Sequence, residues 1–218
     1  MNTKKATQLL TTQDFYRHAE PFSRLSAGVN RATAVILAVV QNWPITANMF
    51  TLASLLFGLS SLLFLFLWQT IWGFTLSLWL SFALDTADGM WARAKKQASP
   101  FGKWFDAYSD YVKDFVIDLG LLWNFVLSED EGYLLVMLFL VIKALFYLLR
   151  SGFKSQLRDE QVRNIPLLAF APAEKYLILW PIVALMPFLV LPVYLGFGLM
   201  YVVIGVNLVS RVWQGKLG

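Results

Sequence analysis

Four aspartates have helical spacing in a part of the chain that is otherwise mostly apolar. Asp85 and Asp88 lie at i and i+3, and Asp106 and Asp110 lie at i and i+4, so each pair falls on one face of a helix. Carboxylates that converge in a low dielectric need cations between them, and oxygen ligands without His or Cys suit a hard ion such as Mg²⁺, Mn²⁺ or Ca²⁺. Centres with one or two such ions hold phosphates, so the pattern predicts phosphoryl transfer.

Small and basic neighbours support a phosphate site. Gly89 follows Asp88 directly, and Gly102 lies one turn before Asp106, so a ligand could approach both helix backbones closely. Arg93 lies one turn beyond Gly89 and could pair with a phosphate. The alternative is that the aspartates only form ion pairs with nearby basic residues or lie in a solvated loop, which explains a single aspartate better than four.

The composition indicates the setting in which these aspartates must be positioned. The chain has 218 residues, of which 58% are hydrophobic and 15% charged, whereas soluble domains average about 45–50% apolar and about 25% charged residues. This excludes a soluble globule, a coiled coil, a disordered tail and a nucleic-acid-binding module. Cysteine is absent, which excludes disulfides, thiolate catalysis and cysteine metal ligands. Met1–Glu20 is polar and predicts no cleavable signal peptide.

The apolar segments predict an all-α integral membrane protein with six transmembrane helices. No charged residue lies between Arg31 and Asp85, and one span needs about 20 residues. An interfacial amphipathic helix is predicted over 32–40, followed by spans over 47–68, 70–92, 102–127 and 132–150 and two more within 176–210, divided near 187–192. The chain is predicted to be a single domain, 1–218, with a cytoplasmic or interfacial segment over 1–43 and a six-helix core over 44–218.

The distribution of basic residues predicts the orientation. With six spans and a cytoplasmic N-terminus, the three outer turns contain no Lys or Arg, and only Lys113 and Lys143 lie within spans. Cytoplasmic loops are normally the basic ones, so both termini and the aspartates are predicted at the cytoplasmic face. Because a lone charge within a span is costly, Lys143 is expected to pair with Asp114 or Asp118.

The aspartates and their neighbours together resemble the signature of the CDP-alcohol phosphotransferase family, D-x-x-D-G-x-x-A-R-x8-G-x3-D-x3-D. Every fixed position matches, at Asp85, Asp88, Gly89, Ala92, Arg93, Gly102, Asp106 and Asp110. The resemblance implies an enzyme of phospholipid synthesis. It would transfer a substituted phosphate from a CDP-linked alcohol, usually CDP-diacylglycerol, to an acceptor hydroxyl and release CMP.

The resemblance also implies roles for individual residues. The metal ligands would be Asp85, Asp88, Asp106 and Asp110, and Asp110 would also be the general base for the acceptor hydroxyl. The nucleotide would be bound by Asp85, Gly89, Ala92, Arg93 and Gly102. Asn48 is a further candidate contact to the nucleotide, because Thr46–Thr51 resembles a family T-P-N-x-x-T segment with Ala47 in place of Pro. Its alternative role is to cap the helix that begins there.

Cofactors and partners follow from the same resemblance. It implies two divalent ions, Mg²⁺ or Mn²⁺, a CDP-alcohol donor, an acceptor alcohol, surrounding membrane lipids and a homodimer, with no nucleic acid. Three basic residues on the predicted cytoplasmic side, Arg150, Lys154 and Lys175, are candidates for binding the acceptor or its phosphate. They could equally serve orientation and contact with anionic lipids. A bacterial or archaeal cytoplasmic membrane is the expected location, from the compact size of the chain.

Other functions fit the sequence less well. A transferase with a soluble CDP-alcohol or a lipid acceptor would use the same motif. An intramembrane prenyltransferase would need two separated Asp-rich motifs and more spans. An ion-coupled transporter with a carboxylate metal site would place acids near the bilayer midplane or toward both sides, whereas the four aspartates gather on one side.

Overall fold

The computed structural model describes residues 9–19, 24–125, 132–153 and 175–214, and this part of the chain contains helices and no strands. The helices are α1 (Thr12–Tyr16), α2 (Arg24–Val40), α3 (Ala47–Phe66), α4 (Ile71–Ala94), α5 (Pro100–Phe125), α6 (Gly132–Phe153), α7 (Trp180–Leu185) and α8 (Val190–Trp213). A π-helical turn, Lys175–Leu179, leads into α7, and a short 3₁₀ turn, Pro187–Leu189, separates α7 from α8.

The helices α3, α4, α5 and α6 begin and end within a few residues of the predicted spans, although the predicted end at 127 lies outside the described residues. The fifth predicted span corresponds, among the described residues, to a shorter apolar helical segment, Lys175–Leu185. Among those residues, α3 and the Val190–Asn207 part of α8 are long and apolar enough to cross a membrane. The charged residues of α4 and α5 lower their hydropathy. The predicted interfacial helix begins at Arg24 rather than at residue 32. The prediction followed the uncharged run after Arg31, whereas the helix also includes the preceding turns, in which polar side chains such as Ser26 and Asn30 are buried. The count of six spans and the cytoplasmic termini remain predictions.

The chain divides into two compact units, one formed by Met1–Phe115 with Pro172–Leu177 and the other by Val116–Ala171 with Ile178–Gly218. In the first unit, α3 and α4 pack along each other after a turn in which Gln69 adopts a positive φ of 50°. Ser54 and Ser81 each donate a hydrogen bond to the other's backbone carbonyl, at 2.9 and 2.8 Å. Small side chains let transmembrane helices approach closely, so this contact fixes how α3 faces α4.

The segment before α2 packs against the end of α4 in the same unit. Phe15 of α1 is fully buried and stacks on Trp91, with 5.8 Å between ring centroids. The Gln41 side chain accepts a hydrogen bond from Leu10 N at 2.7 Å and donates one to Leu10 O at 3.0 Å. These contacts hold residues 9–19 beside the part of α4 that carries Asp88.

The second unit contains a buried ion pair between two of its helices. Lys143 of α6 pairs with Asp118 of α5, and both side chains are at most 1% exposed. Tyr194 of α8 donates a hydrogen bond to the same carboxylate, at 3.0 Å, and stacks on Trp180. Asp118 is therefore the partner of Lys143, and the prediction of an ion pair at this depth is confirmed. The assignment of 1–218 to a single domain remains a prediction.

Candidate active site

Three of the predicted aspartates converge in the first unit. Asp85 and Asp88 lie one turn apart near the end of α4, and Asp106 lies in the second turn of α5. One carboxylate oxygen from each of the three lies within 4.8 Å of the others. Asp88 is buried, whereas Asp85 and Asp106 are partly buried. The spacing in the sequence predicted that α4 and α5 bring four carboxylates together, and three of the four lie in this close group.

Asp88 is held in place by α3. The Thr51 hydroxyl donates a hydrogen bond to Asp88 Oδ2 at 2.6 Å, and Thr51 is only 2% exposed. A buried charge-assisted hydrogen bond of this kind restricts how the carboxylate can rotate. Sequence reasoning did not assign Thr51 this role, although Thr51 is the last fixed position of the Thr46–Thr51 segment.

Lys113 is the principal residue that the sequence did not assign to the site. Its ammonium nitrogen lies 2.5 Å from Asp85 Oδ1 and 3.0 Å from Asp110 Oδ1, and it donates a hydrogen bond to Ser54 Oγ at 2.8 Å. The side chain is 2% exposed. The signal was present in the sequence, because Lys113 lies at i+3 from Asp110 and so on the same face of the helix.

Asp110 differs from the other three aspartates in its surroundings. It is not part of the close group of carboxylate oxygens found among the described residues. Its side chain is 50% exposed, with one oxygen directed to Lys113. A carboxylate that is accessible at one side and held at the other is suited to accept a proton from a bound molecule.

The small residues predicted to contact a nucleotide lie around the same group. A Cβ added at Gly102 would lie 3.2 Å from Asn48 Oδ1, so the beginning of α3 and the beginning of α5 approach each other there. A Cβ added at Gly89 would lie 3.1 Å from Arg93 Nη2. Arg93 itself is exposed and donates through Nε to the carbonyl oxygen of His18 at 2.9 Å. Ala92, which lies between Gly89 and Arg93 in the sequence, is partly buried.

Of the three basic residues predicted to bind the acceptor, the structure describes the side chain of Lys175 alone. Lys175 is 8% exposed and forms an ion pair with Asp114 of α5. Arg150 lies near the end of α6, but its side chain is outside the described part of the chain, as is the whole of Lys154. The role of all three in binding an acceptor remains a prediction.

The carboxylate group fits a divalent ion. Asp85, Asp88 and Asp106 each offer one oxygen, and a separation within 4.8 Å is compatible with oxygens that share one hard cation. Three negative charges so close together need a cation to offset their repulsion. A hard divalent ion, held by these three residues, is the group that this donor set suits best.

Comparison with known proteins agrees with the site. The profile of the CDP-alcohol phosphatidyltransferase family matches residues 44–213. The match covers most of the chain and includes all four aspartates, so the protein belongs to this family of membrane-embedded transferases. No curated protein and no solved structure showed significant similarity.

Proposed function

We propose that the protein transfers a phosphatidyl group from CDP-diacylglycerol to the hydroxyl of an acceptor alcohol and releases CMP, in phospholipid synthesis at the cytoplasmic face of a bacterial or archaeal membrane. The observation that carries the proposal is the convergence of Asp85, Asp88 and Asp106 within 4.8 Å, with Asp110 beside them. A lipid donor suits the setting, because its acyl chains could remain in the bilayer while its diphosphate reaches the carboxylates.

The proposed reaction breaks one phosphorus–oxygen bond and forms another. The acceptor oxygen attacks the phosphorus that bears diacylglycerol, and its proton passes to the carboxylate of Asp110. The bond from that phosphorus to the bridging diphosphate oxygen breaks, and CMP leaves with the electron pair. A divalent ion bound by Asp85, Asp88 and Asp106 would supply charge neutralisation at the diphosphate.

The remaining residues position the substrates in this proposal. Gly89 and Gly102 are proposed to let the nucleotide approach the helix backbones, because neither carries a side chain. Arg93 and Asn48 lie beside these two glycines, at 3.1 and 3.2 Å from an added Cβ, and are proposed to contact the same nucleotide. Arg93, on the exposed side of α4, would pair with a phosphate. Arg150, Lys154 and Lys175 are proposed to bind the acceptor or its phosphate. The homodimer expected from the family resemblance is part of the same proposal.

The test is CMP release by purified protein from CDP-diacylglycerol with Mg²⁺ or Mn²⁺. Acceptors to compare are glycerol 3-phosphate, inositol phosphate, inositol, serine, choline and none. We expect release that depends on one acceptor and falls by about 10²–10⁴ in Asp110→Asn, the range typical of lost general-base catalysis. Asp14→Asn makes the same change at a partly buried carboxylate on α1, outside the four-aspartate motif, and serves as the control. It is expected to retain activity, because the amide oxygen can still accept the hydrogen bond from Thr11 N that caps α1.

Two outcomes would change the proposal in different ways. Release only from a soluble CDP-alcohol, or only with a lipid acceptor, would keep the reaction class and replace the substrate. No release from any donor, with Asp110→Asn and the unaltered protein indistinguishable, would overturn the transferase. Metal-dependent ion flux through proteoliposomes in that case would favour the transporter.

A further inference from the structure

Lys113 is fixed inside the carboxylate site by the packing of α3. A Cβ added at Gly58 would lie 3.0 Å from Lys113 Cγ and 3.1 Å from its Cδ. Gly58 therefore leaves the space through which the Lys113 stem passes, and the lysine is 2% exposed along its length. The position of this side chain is a consequence of helix packing and does not depend on a mobile loop.

The ammonium group of Lys113 has an acceptor for each of its protons. The three partners are Asp85 Oδ1 at 2.5 Å, Asp110 Oδ1 at 3.0 Å and Ser54 Oγ at 2.8 Å. A lysine ammonium has three donors and no acceptor, so these contacts satisfy it completely. Moving the ammonium away would leave a buried charge without partners, which is costly.

This placement affects how many metal ions the site can hold. Asp85 shares its carboxylate between Lys113 and the group formed with Asp88 and Asp106, while Asp110 is held by Lys113. A second divalent ion between Asp85 and Asp110 would have to take the place of the ammonium or lie beside it. Like charges within about 4 Å repel strongly in a low dielectric.

We propose that Lys113 is a built-in second cation, so that each chain binds one divalent ion in the absence of nucleotide. That ion would be held by Asp85, Asp88 and Asp106, and Lys113 would pair with Asp85 and Asp110 and offset part of their charge. The inference deepens the proposed function and rests on it for the divalent-ion site. It differs from the two ions that the family resemblance implies.

The test is a count of Mn²⁺ bound to the full-length protein in detergent, without nucleotide or substrate, by electron paramagnetic resonance of the free ion. We expect one Mn²⁺ per chain in the unaltered protein and two in Lys113→Gln, because the neutral amide no longer competes with a cation. Lys103→Gln is the matched control, since it removes an exposed lysine from the same helix, and it should still bind one ion.

Further variants keep the test decisive if Lys113→Gln does not fold, which a thermal unfolding scan would show. Asp110→Asn is expected to bind one Mn²⁺, because Asp110 neutralises Lys113 in this arrangement and is not a ligand of that ion. Asp88→Asn is expected to bind it much more weakly. Two ions in the unaltered protein, or a folded Lys113→Gln that binds only one, would overturn the role of Lys113, as would loss of the ion in Asp110→Asn.

The ion count and the activity assay test the role of Lys113 and the transferase activity separately, so that either proposal can be overturned without the other. One bound Mn²⁺ without CMP release from any donor would overturn the transferase and leave the cation arrangement standing. Two bound ions together with CMP release would overturn the role given to Lys113 and support the transferase. An unaltered protein that binds no Mn²⁺ would overturn the divalent-ion site and, with it, the role given to Lys113.

Discussion

Thr51 and Asp88 connect α3 to α4 through a buried hydrogen bond, with 2.6 Å between Thr51 Oγ1 and Asp88 Oδ2. The contact orients one of the three carboxylates that are proposed to share a divalent ion. Partners that orient metal ligands typically change metal affinity by about 10–100-fold when removed. We therefore expect Thr51→Val to raise the Mn²⁺ dissociation constant by about 10–100-fold, measured by titration of the purified protein.

The control for this prediction is Thr51→Ser, which keeps the hydroxyl and removes only a methyl group. Its Mn²⁺ affinity should remain close to that of the unaltered protein. If Thr51→Val bound Mn²⁺ as tightly as Thr51→Ser, the hydrogen bond would have no part in orienting Asp88 for metal binding.

Gly58, the single glycine of α3, is predicted to tolerate substitution poorly. A Cβ at this position would lie 3.1 Å from Ser81 Oγ and 3.0 Å from Lys113 Cγ, so α4 or the lysine stem would have to move. We expect Gly58→Ala to lower the midpoint of thermal unfolding. Gly28→Ala is the control, because nothing lies within 4 Å of its added Cβ and alanine favours a helix by up to about 1 kcal/mol over glycine. Equal unfolding midpoints for the two variants would contradict the close packing at Gly58.

The parts of the site that could be predicted from sequence are those fixed by spacing along one helix. Asp85 and Asp88 must share a face of α4 because they lie at i and i+3, and a short connection brings them to the beginning of α5. The long apolar run likewise predicted the bounds of α3, because about 20 apolar residues in a row have few other stable structures in a membrane. The position of Lys143 within a predicted span indicated that it has an acidic partner, because an unpaired charge inside a membrane is energetically costly.

The contacts of α3 could not be predicted from sequence. Thr51, Ser54 and Gly58 contribute to the site only because of how α3 is rotated against α4, and that rotation depends on packing along the whole helix pair. Their small size and helical spacing indicate a face that packs against another helix. The spacing does not indicate which helix or which carboxylates that face contacts. The role of Lys113 depends on the same packing, since its ammonium reaches Asp85 by passing Gly58.

Phe15 is predicted to hold residues 9–19 against α4. It is fully buried on Trp91, and removing a buried phenylalanine ring costs about 3–5 kcal/mol. We expect Phe15→Ala to increase the rate of proteolytic cleavage in this segment several-fold. We also expect a higher KM for the CDP-alcohol, because Arg93 would lose its contact with the His18 carbonyl. Peptide mass analysis of a limited digest and a KM measurement check the two effects.

Leu9→Ala is the matched control for that variant, because Leu9 lies in the same segment and is 62% exposed. Its cleavage rate and KM should be close to those of the unaltered protein. A Phe15→Ala protein that is no more sensitive to protease than Leu9→Ala would show that the aromatic contact does not hold the segment in place.

Removing only one partner of the ion pair between Lys143 and Asp118 is predicted to destabilise the protein more than replacing both partners with neutral residues. Both side chains are almost completely buried, and removing one partner of such a pair typically costs about 3–5 kcal/mol, because the other charge stays buried alone. We expect Lys143→Met to lower the unfolding midpoint sharply. In Lys143→Met combined with Asp118→Asn the buried charge is gone, and the amide oxygen can still accept from Tyr194, so much of that loss should be recovered. Thermal unfolding in detergent compares the three proteins. A double variant that is less stable than Lys143→Met would mean that Asp118 contributes to stability mainly through contacts other than this pair.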